Sequence, residues 1–256
     1  MSSQNPAMHR IRSATDVKEY YFDEKRAQDY IDDRFRSPLF RMLHNRQVQA
    51  VNDLIVAENL GKLLELAPGP ARLSVHIRNF TSGTLVDSSQ AMLEVARQRL
   101  EAAGSLDKWS FEQADIFNLD LHETFDLVYT FRFIRHFEKD KRQQLYDVIR
   151  RHLEPGGWLI FDAVNEAVSA PLREASPDEY PVYDELYRKG DLIDELNAEG
   201  FEVQNLISLQ CHFNTQKQIN DLARFPVGWL AEKLITMMER PDAPNPLEWI
   251  VVCRKA

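Results

Sequence analysis

Three acids stand where short apolar runs give way to loops. Glu65 lies in Lys62-Leu63-Leu64-Glu65-Leu66, ahead of the turn Ala67-Pro68-Gly69-Pro70. Asp87 follows Thr84-Leu85-Val86, and Asp115 follows Trp109-Ser110-Phe111-Glu112-Gln113-Ala114. An ionised carboxylate can accept two hydroxyl donors at once, each charge-assisted bond contributing ~1.5–3 kcal/mol. Any one of these acids alone is more often a solvated surface group or a helix cap; three in succession, each at the end of a run, point to one binding rim. A fourth run, Phe125 to Phe131, leads into Arg132-Phe133-Ile134-Arg135-His136-Phe137. His136 is a candidate general base because imidazole titrates near neutral pH, or else a packing histidine with a backbone partner. His212 is a candidate of the same kind. Asp162 and Asn165, after a fifth run at Trp158-Leu159-Ile160-Phe161, read as polar contacts to a substrate or as loop caps. No Cys/His cluster has metal-ligand spacing, so no metal is expected, and no Ser/His/Asp elbow is present.

The elements that must position these groups follow from the alternation of β-rich runs with longer helical patterns from about residue 60 onward, which predicts a parallel sheet with helices on both faces. After Asp87 come the capping pair Ser88-Ser89 and then Met92, Leu93, Val95, Ala96 and Leu100 at helical spacing. A helix from about Lys139 to Leu153 stops at Glu154-Pro155-Gly156-Gly157. Further on, Val182 to Ala198 reads as a helix, Phe201 to Phe213 as a long strand and Leu247 to Cys253 as a last strand. The predicted fold is α/β: a Rossmann-like three-layer sandwich with a mostly parallel seven-stranded sheet, an antiparallel last strand and an N-terminal helical lid. Residues 1–57 are assigned to a helical lid segment that could equally be a core-packing layer, residues 58–256 to the domain, and about 214–246 to a helical insertion.

Taken together, Leu63 to Val164 resembles the class I S-adenosylmethionine-dependent methyltransferases, motif by motif and in unbroken order. Leu63-Leu64-Glu65-Leu66-Ala67-Pro68-Gly69-Pro70 resembles the family's acidic strand and glycine-rich loop. Leu85-Val86-Asp87-Ser88-Ser89-Gln90-Ala91-Met92-Leu93 resembles the ribose-binding motif, Asp115-Ile116-Phe117 the adenine motif, and Leu153-Glu154-Pro155-Gly156-Gly157 one of the motifs that close the sheet. The resemblance implies S-adenosyl-L-methionine as cofactor, held by Glu65, Ala67, Pro68, Gly69, Asp87, Ser88, Met92, Asp115, Ile116 and Phe131, with Tyr21 and Tyr30 over it. It implies methyl transfer to a small molecule, with Arg132, Arg135, Asn165, Tyr183 and Phe213 lining the acceptor pocket. One departure stands out: Gly69 is the sole glycine in a loop where the family has two or three, and Ala67 and Ala71 narrow its options unless Pro68 and Pro70 fix its shape instead.

Acidic residues outnumber basic ones 40 to 31, for a net charge of −9, a field that repels phosphate backbones, so nucleic acid is not an expected partner. No apolar run approaches the ~18 residues of a membrane span, and the two cysteines fit a reducing compartment, so a cytoplasmic monomer or homodimer is expected. Two alternatives are a catalytically silent cofactor sensor or scaffold, suggested by the depleted glycine loop, and a nicotinamide-dependent oxidoreductase, disfavoured because the three-glycine dinucleotide fingerprint is absent.

Overall fold

The computed structural model describes residues 37–180, 182–223 and 228–256; Tyr21 and Tyr30, with the rest of 1–36, lie outside them. Helix α1 (Pro38–Glu58) opens on Ser37, whose side chain accepts from the Phe40 amide, and closes on Asn59 in the left-handed region. Then come β1 (Lys62–Leu66), β2 (Ser82–Asp87), α2 (Gln90–Ala102), β3 (Trp109–Gln113), β4 (Phe125–Tyr129), α3 (Lys139–His152) and β5 (Leu153–Asn165). The chain continues through α4 (Glu166–Ala175), β6 (Leu186–Tyr187), α5 (Lys189–Ala198), β7 (Phe201–Leu209), α6 (Phe213–Leu222), α7 (Gly228–Met237) and β8 (Glu248–Lys255).

The strands form one sheet in the order β3-β2-β1-β4-β5-β8-β7, with β6 paired to the end of β5. All pairs from β3 to β5 are parallel, whereas β8 runs antiparallel to both β5 and β7. Two-residue periodicity divides the core into two layers. Leu64, Leu66, Val128, Leu159 and Phe161 face α3 and α5, where Leu145, Ile149, Leu192 and Leu196 meet them. Leu63, Leu85, Leu127, Ile160 and Ile250 face α1 and α2, through Val51, Ile55, Leu93 and Leu100. The predicted three-layer α/β architecture with an antiparallel last strand is the observed one.

Two boundaries differ. The sheet has an eighth strand, the two-residue β6, within the stretch read as helix from Val182; there the Glu185 amide donates to the Arg135 carbonyl at 2.7 Å, which holds the chain extended until α5 begins at Lys189. The strand read as far as Phe213 ends at Leu209, because Gln210 turns into the left-handed region (φ 55°) and Phe213 opens α6. Of the two readings of the N-terminal segment, Pro38 to Glu58 follows the core layer: Val51 and Ile55 are buried against the sheet, and the first turns pack on the insertion through Leu39, Met42 and Ile235. Ser37 Oγ donates to Asn220 Oδ1 at 2.7 Å and Arg41 pairs with Glu232 at 2.6 Å, which ties α1 to α6 and α7.

Among the described residues no helix is long and apolar enough to cross a membrane, and no three His, Cys, Asp or Glu residues are grouped to hold a metal ion.

Candidate active site

The turn after β1 shows what replaced the missing glycines. Ala67, Gly69 and Ala71 all have positive φ, at 52°, 55° and 53°. Pro68 and Pro70 stand between them, and a proline ring fixes φ near −65°, so the loop alternates left-handed and proline-locked residues. An alanine in the left-handed region costs about 1–2 kcal/mol relative to the right-handed one. The loop therefore keeps the backbone form that glycines would allow without strain. Its start is fixed by the Ala67 amide donating to the Val86 carbonyl at 2.9 Å.

Asp87 ends β2 beside this loop. Its Oδ2 accepts from the Gly69 amide at 3.1 Å and its Oδ1 from the Ser89 amide at 2.9 Å. Burial raises its pKa, and these backbone amides, with that of Ser88, oppose the rise. Ser89, rather than Ser88, caps α2, its Oγ accepting from the Met92 amide at 3.3 Å. One strand further, the Ala114 amide donates to the Asp87 carbonyl at 3.2 Å, and the half-buried Asp115 accepts from the Phe117 amide, also at 3.2 Å. Met92 and Ile116 are buried near these acids' strand ends, and Phe131 is buried in the layer facing α1.

Glu65 differs from the other two acids. It is only 3% exposed, and its Oε2 accepts from the hydroxyls of Ser74 and Tyr129, the latter at 2.9 Å. Burial pushes its pKa up to about 7, against the pull of those two hydroxyls and of Arg72. The three acids thus stand on neighbouring strands, but Glu65, expected to touch cofactor directly, fastens the segment after the loop to β4.

Past β4, the acceptor-side candidates separate. Arg132 has φ 59°, and its amide donates to Asp162 Oδ1. Arg135, expected in the acceptor pocket, is instead an internal hub. Its Nη1 lies 2.9 Å from Asp162 and 3.1 Å from Glu248, and its Nε lies 2.9 Å from Asp184, off the line of a hydrogen bond. A guanidinium that is 4% exposed needs such partners, because burying a charge unpaired is prohibitive. Burial disfavours the Asp184 carboxylate, yet Arg135, with help from His136 and Arg173, holds it well below the usual carboxylate range. Burial pushes Glu248 up, against Arg135.

His136 Nδ1 lies 2.8 Å from the Tyr183 carbonyl and 3.0 Å from Asp184 Oδ1. Both partners are acceptors, so Nδ1 carries the proton and Nε2 is the basic nitrogen of the neutral ring. The Tyr183 hydroxyl donates to Glu185. Asn165 is the N-cap of α4: its Oδ1 accepts from Ala167 at 3.1 Å and its Nδ2 donates to the Pro246 carbonyl at 2.8 Å, so both ends of an amide expected to meet substrate are engaged. Phe213, the fifth pocket candidate, is half-buried at the start of α6. Asp184 and Glu248 were missed by sequence reasoning. Glu248 does carry a legible signal, an acid heading an apolar strand, but at the N-terminal end of an antiparallel one; Asp184 lay inside the stretch misread as helix.

Residues 63–157 match the model of a methyltransferase domain family. The chain is similar to a carboxy-S-adenosyl-L-methionine synthase of Campylobacter lari, 28% identical over 149 residues, which are 56% of this chain and span 61% of that relative's length. Among solved structures, magnesium protoporphyrin IX methyltransferase of Synechocystis PCC 6803 with bound SAH superposes with a TM-score of 0.62 at 14% identity, over 94% of this chain and 99% of that one. An S-adenosylmethionine-dependent methyltransferase of Clostridium acetobutylicum superposes with a TM-score of 0.60 at 15% identity, over 83% and 92%. These structures share the fold. With the match over residues 63–157, the chain contains a stretch similar to a methyltransferase domain, set in the fold that these S-adenosylmethionine-dependent methyltransferase structures share.

Proposed function

We propose that this protein is an S-adenosylmethionine-dependent methyltransferase that methylates an oxygen or nitrogen of a small-molecule acceptor. The observation that carries the reading is the junction of the β1 loop with Asp87: three left-handed residues bring the backbone close to the rim, and a buried carboxylate is oriented there by backbone amides alone. No cation among the described residues pairs with Asp87, so its remaining lone pairs suit two vicinal hydroxyls. The residues therefore fit an adenosyl group, with Asp87 and Ser88 at the ribose, Asp115 with Met92 and Ile116 at the base, and Ala67 to Gly69 under the methionine portion.

When bound, S-adenosylmethionine supplies a methyl group already activated on a sulfonium. The protein's own work is then to orient the acceptor, exclude water and, where the nucleophile must lose a proton, receive it. His136 Nε2 is suited to that last role, since Asp184 and the Tyr183 carbonyl fix the proton on Nδ1. Both free cysteines suit a cytoplasmic setting. The silent alternative rested on the missing glycines, and the left-handed Ala67 and Ala71 supply that backbone form without them.

Thermal-shift measurement tests the reading. S-adenosylhomocysteine at 100 times its dissociation constant should stabilise the protein by ~2.7 kcal/mol, while NAD should not. Stabilisation by NAD alone would overturn it.

A further inference from the structure

A recess of about 380 Å³ opens between α4 and the β7–α6 junction, within the size range of small-molecule sites. It lies on the same rim as the loop after β1, because β7 and β5 both run antiparallel to β8 and so end on one side of the sheet. Val168, Leu172 and Phe213 form an apolar wall; Gln210, Asn214 and Asn245 place amides around it, and no Asp, Glu, Lys or Arg is among the lining residues.

Gln210 is the informative member. It is 6% exposed, yet its side-chain amide makes no hydrogen bond to any described residue, leaving a donor and an acceptor for the recess. Its backbone is left-handed, with φ 55°. That conformation is imposed from both sides: the buried Glu239 carboxylate accepts from the Gln210 amide at 3.0 Å and from the Cys211 amide at 3.3 Å, and the Gln210 carbonyl accepts from the Leu247 amide at 3.3 Å. Non-glycine residues persist in such a conformation where the surroundings over-determine it, and they cluster at ligand sites.

We infer that this recess holds an uncharged, hydroxyl-bearing ring of the methyl acceptor, read by the Gln210 amide. Side-chain amides match hydroxyls because each offers both a donor and an acceptor. The apolar wall matches the CH face of a saturated ring, and with no Asp, Glu, Lys or Arg in the lining and His212 its one imidazole, a charged ring finds no permanent counter-charge there on desolvation. The assignment of this ring to the acceptor rests on the methyltransferase reading.

The test uses methyl α-D-glucopyranoside as probe, with glucuronic acid and glucosamine as charged controls, each titrated into the full chain and followed through side-chain amide NMR signals. The neutral glycoside should shift the Gln210 and Asn245 NH2 signals saturably, and both charged sugars should bind more weakly. Gln210→Gly should weaken the glycoside about fivefold, the loss of one neutral hydrogen-bonding group, with the fold of the variant checked by the unchanged dispersion of its remaining amide signals. No saturable shift, equal binding of a charged sugar, or unchanged binding in Gln210→Gly would each overturn the inference. S-adenosylhomocysteine stabilisation of the same samples reports separately on the methyltransferase reading, since Gln210 lies outside the adenosyl rim.

Discussion

A carboxylate buried under two hydroxyls, with Arg72 as a nearby charge, keeps much of its desolvation penalty, and Glu65 is held in that way, its pKa pushed up to about 7 from an ordinary 4.5. The folded state therefore binds this proton more tightly than the unfolded chain. The stability Glu65 contributes is full below pH 4.5 and is lost as pH rises through about 7. Glu65→Gln keeps an acceptor for Ser74 and Tyr129 without the ionisation. Its Tm relative to wild type should rise steadily between pH 4.5 and 8, by an amount equivalent to a few kcal/mol, in scans across that range; a flat difference would mean that Glu65 does not titrate there. Asp87, similarly buried, is set apart by its backbone amide donors. The acids at 65, 87 and 115 were legible as a set from their places at the ends of β-rich runs. Which of them looks inward was not, because that depends on Ser74 and Tyr129, the second of them distant in sequence and brought alongside only by the β1–β4 register.

At the scale of elements, the loop after β1 carries a conformational strain that its sequence disguises. Ala67 is partly exposed while Ala71 is fully buried, so the two alanines should respond differently to glycine. At both positions relief of the left-handed strain, about 1–2 kcal/mol, is offset in part by the added freedom of glycine in the unfolded chain, about 0.5–1 kcal/mol. At Ala71 the loss of a buried methyl takes away about a further 0.8 kcal/mol. Ala67→Gly should thus stabilise by about 0.5–1 kcal/mol, a rise of roughly 1–4 °C, while Ala71→Gly stays near neutral; calorimetric scans of both variants check the contrast, and a destabilised Ala67→Gly would contradict it. Counting glycines in the sequence suggested a damaged loop. The prolines at 68 and 70 were the better signal, since they lock alternate residues and leave the intervening ones to turn left-handed.

At the scale of the whole molecule, alternating β-rich and helical patterns specify the three-layer sandwich because each strand buries both faces and each helix one stripe. The parts that escaped sequence reading are held by distant partners. Arg135 gathers Asp162, Asp184 and Glu248 from three separate stretches of chain, which is why a guanidinium expected to face substrate is internal. The two-residue β6 is too short to leave a periodic pattern, and the end of β7 is set by Glu239, 29 residues beyond Gln210. The account as a whole turns on whether Asp87 grips an adenosyl group at the rim shared by β1, β2 and β3. Calorimetric titration of S-adenosylhomocysteine into wild type and Asp87→Ala tests this most directly. With two charge-assisted hydrogen bonds of ~1.5–3 kcal/mol each removed, Asp87→Ala should bind at least tenfold more weakly than a saturable wild type, and equal affinity in the two proteins would contradict the account.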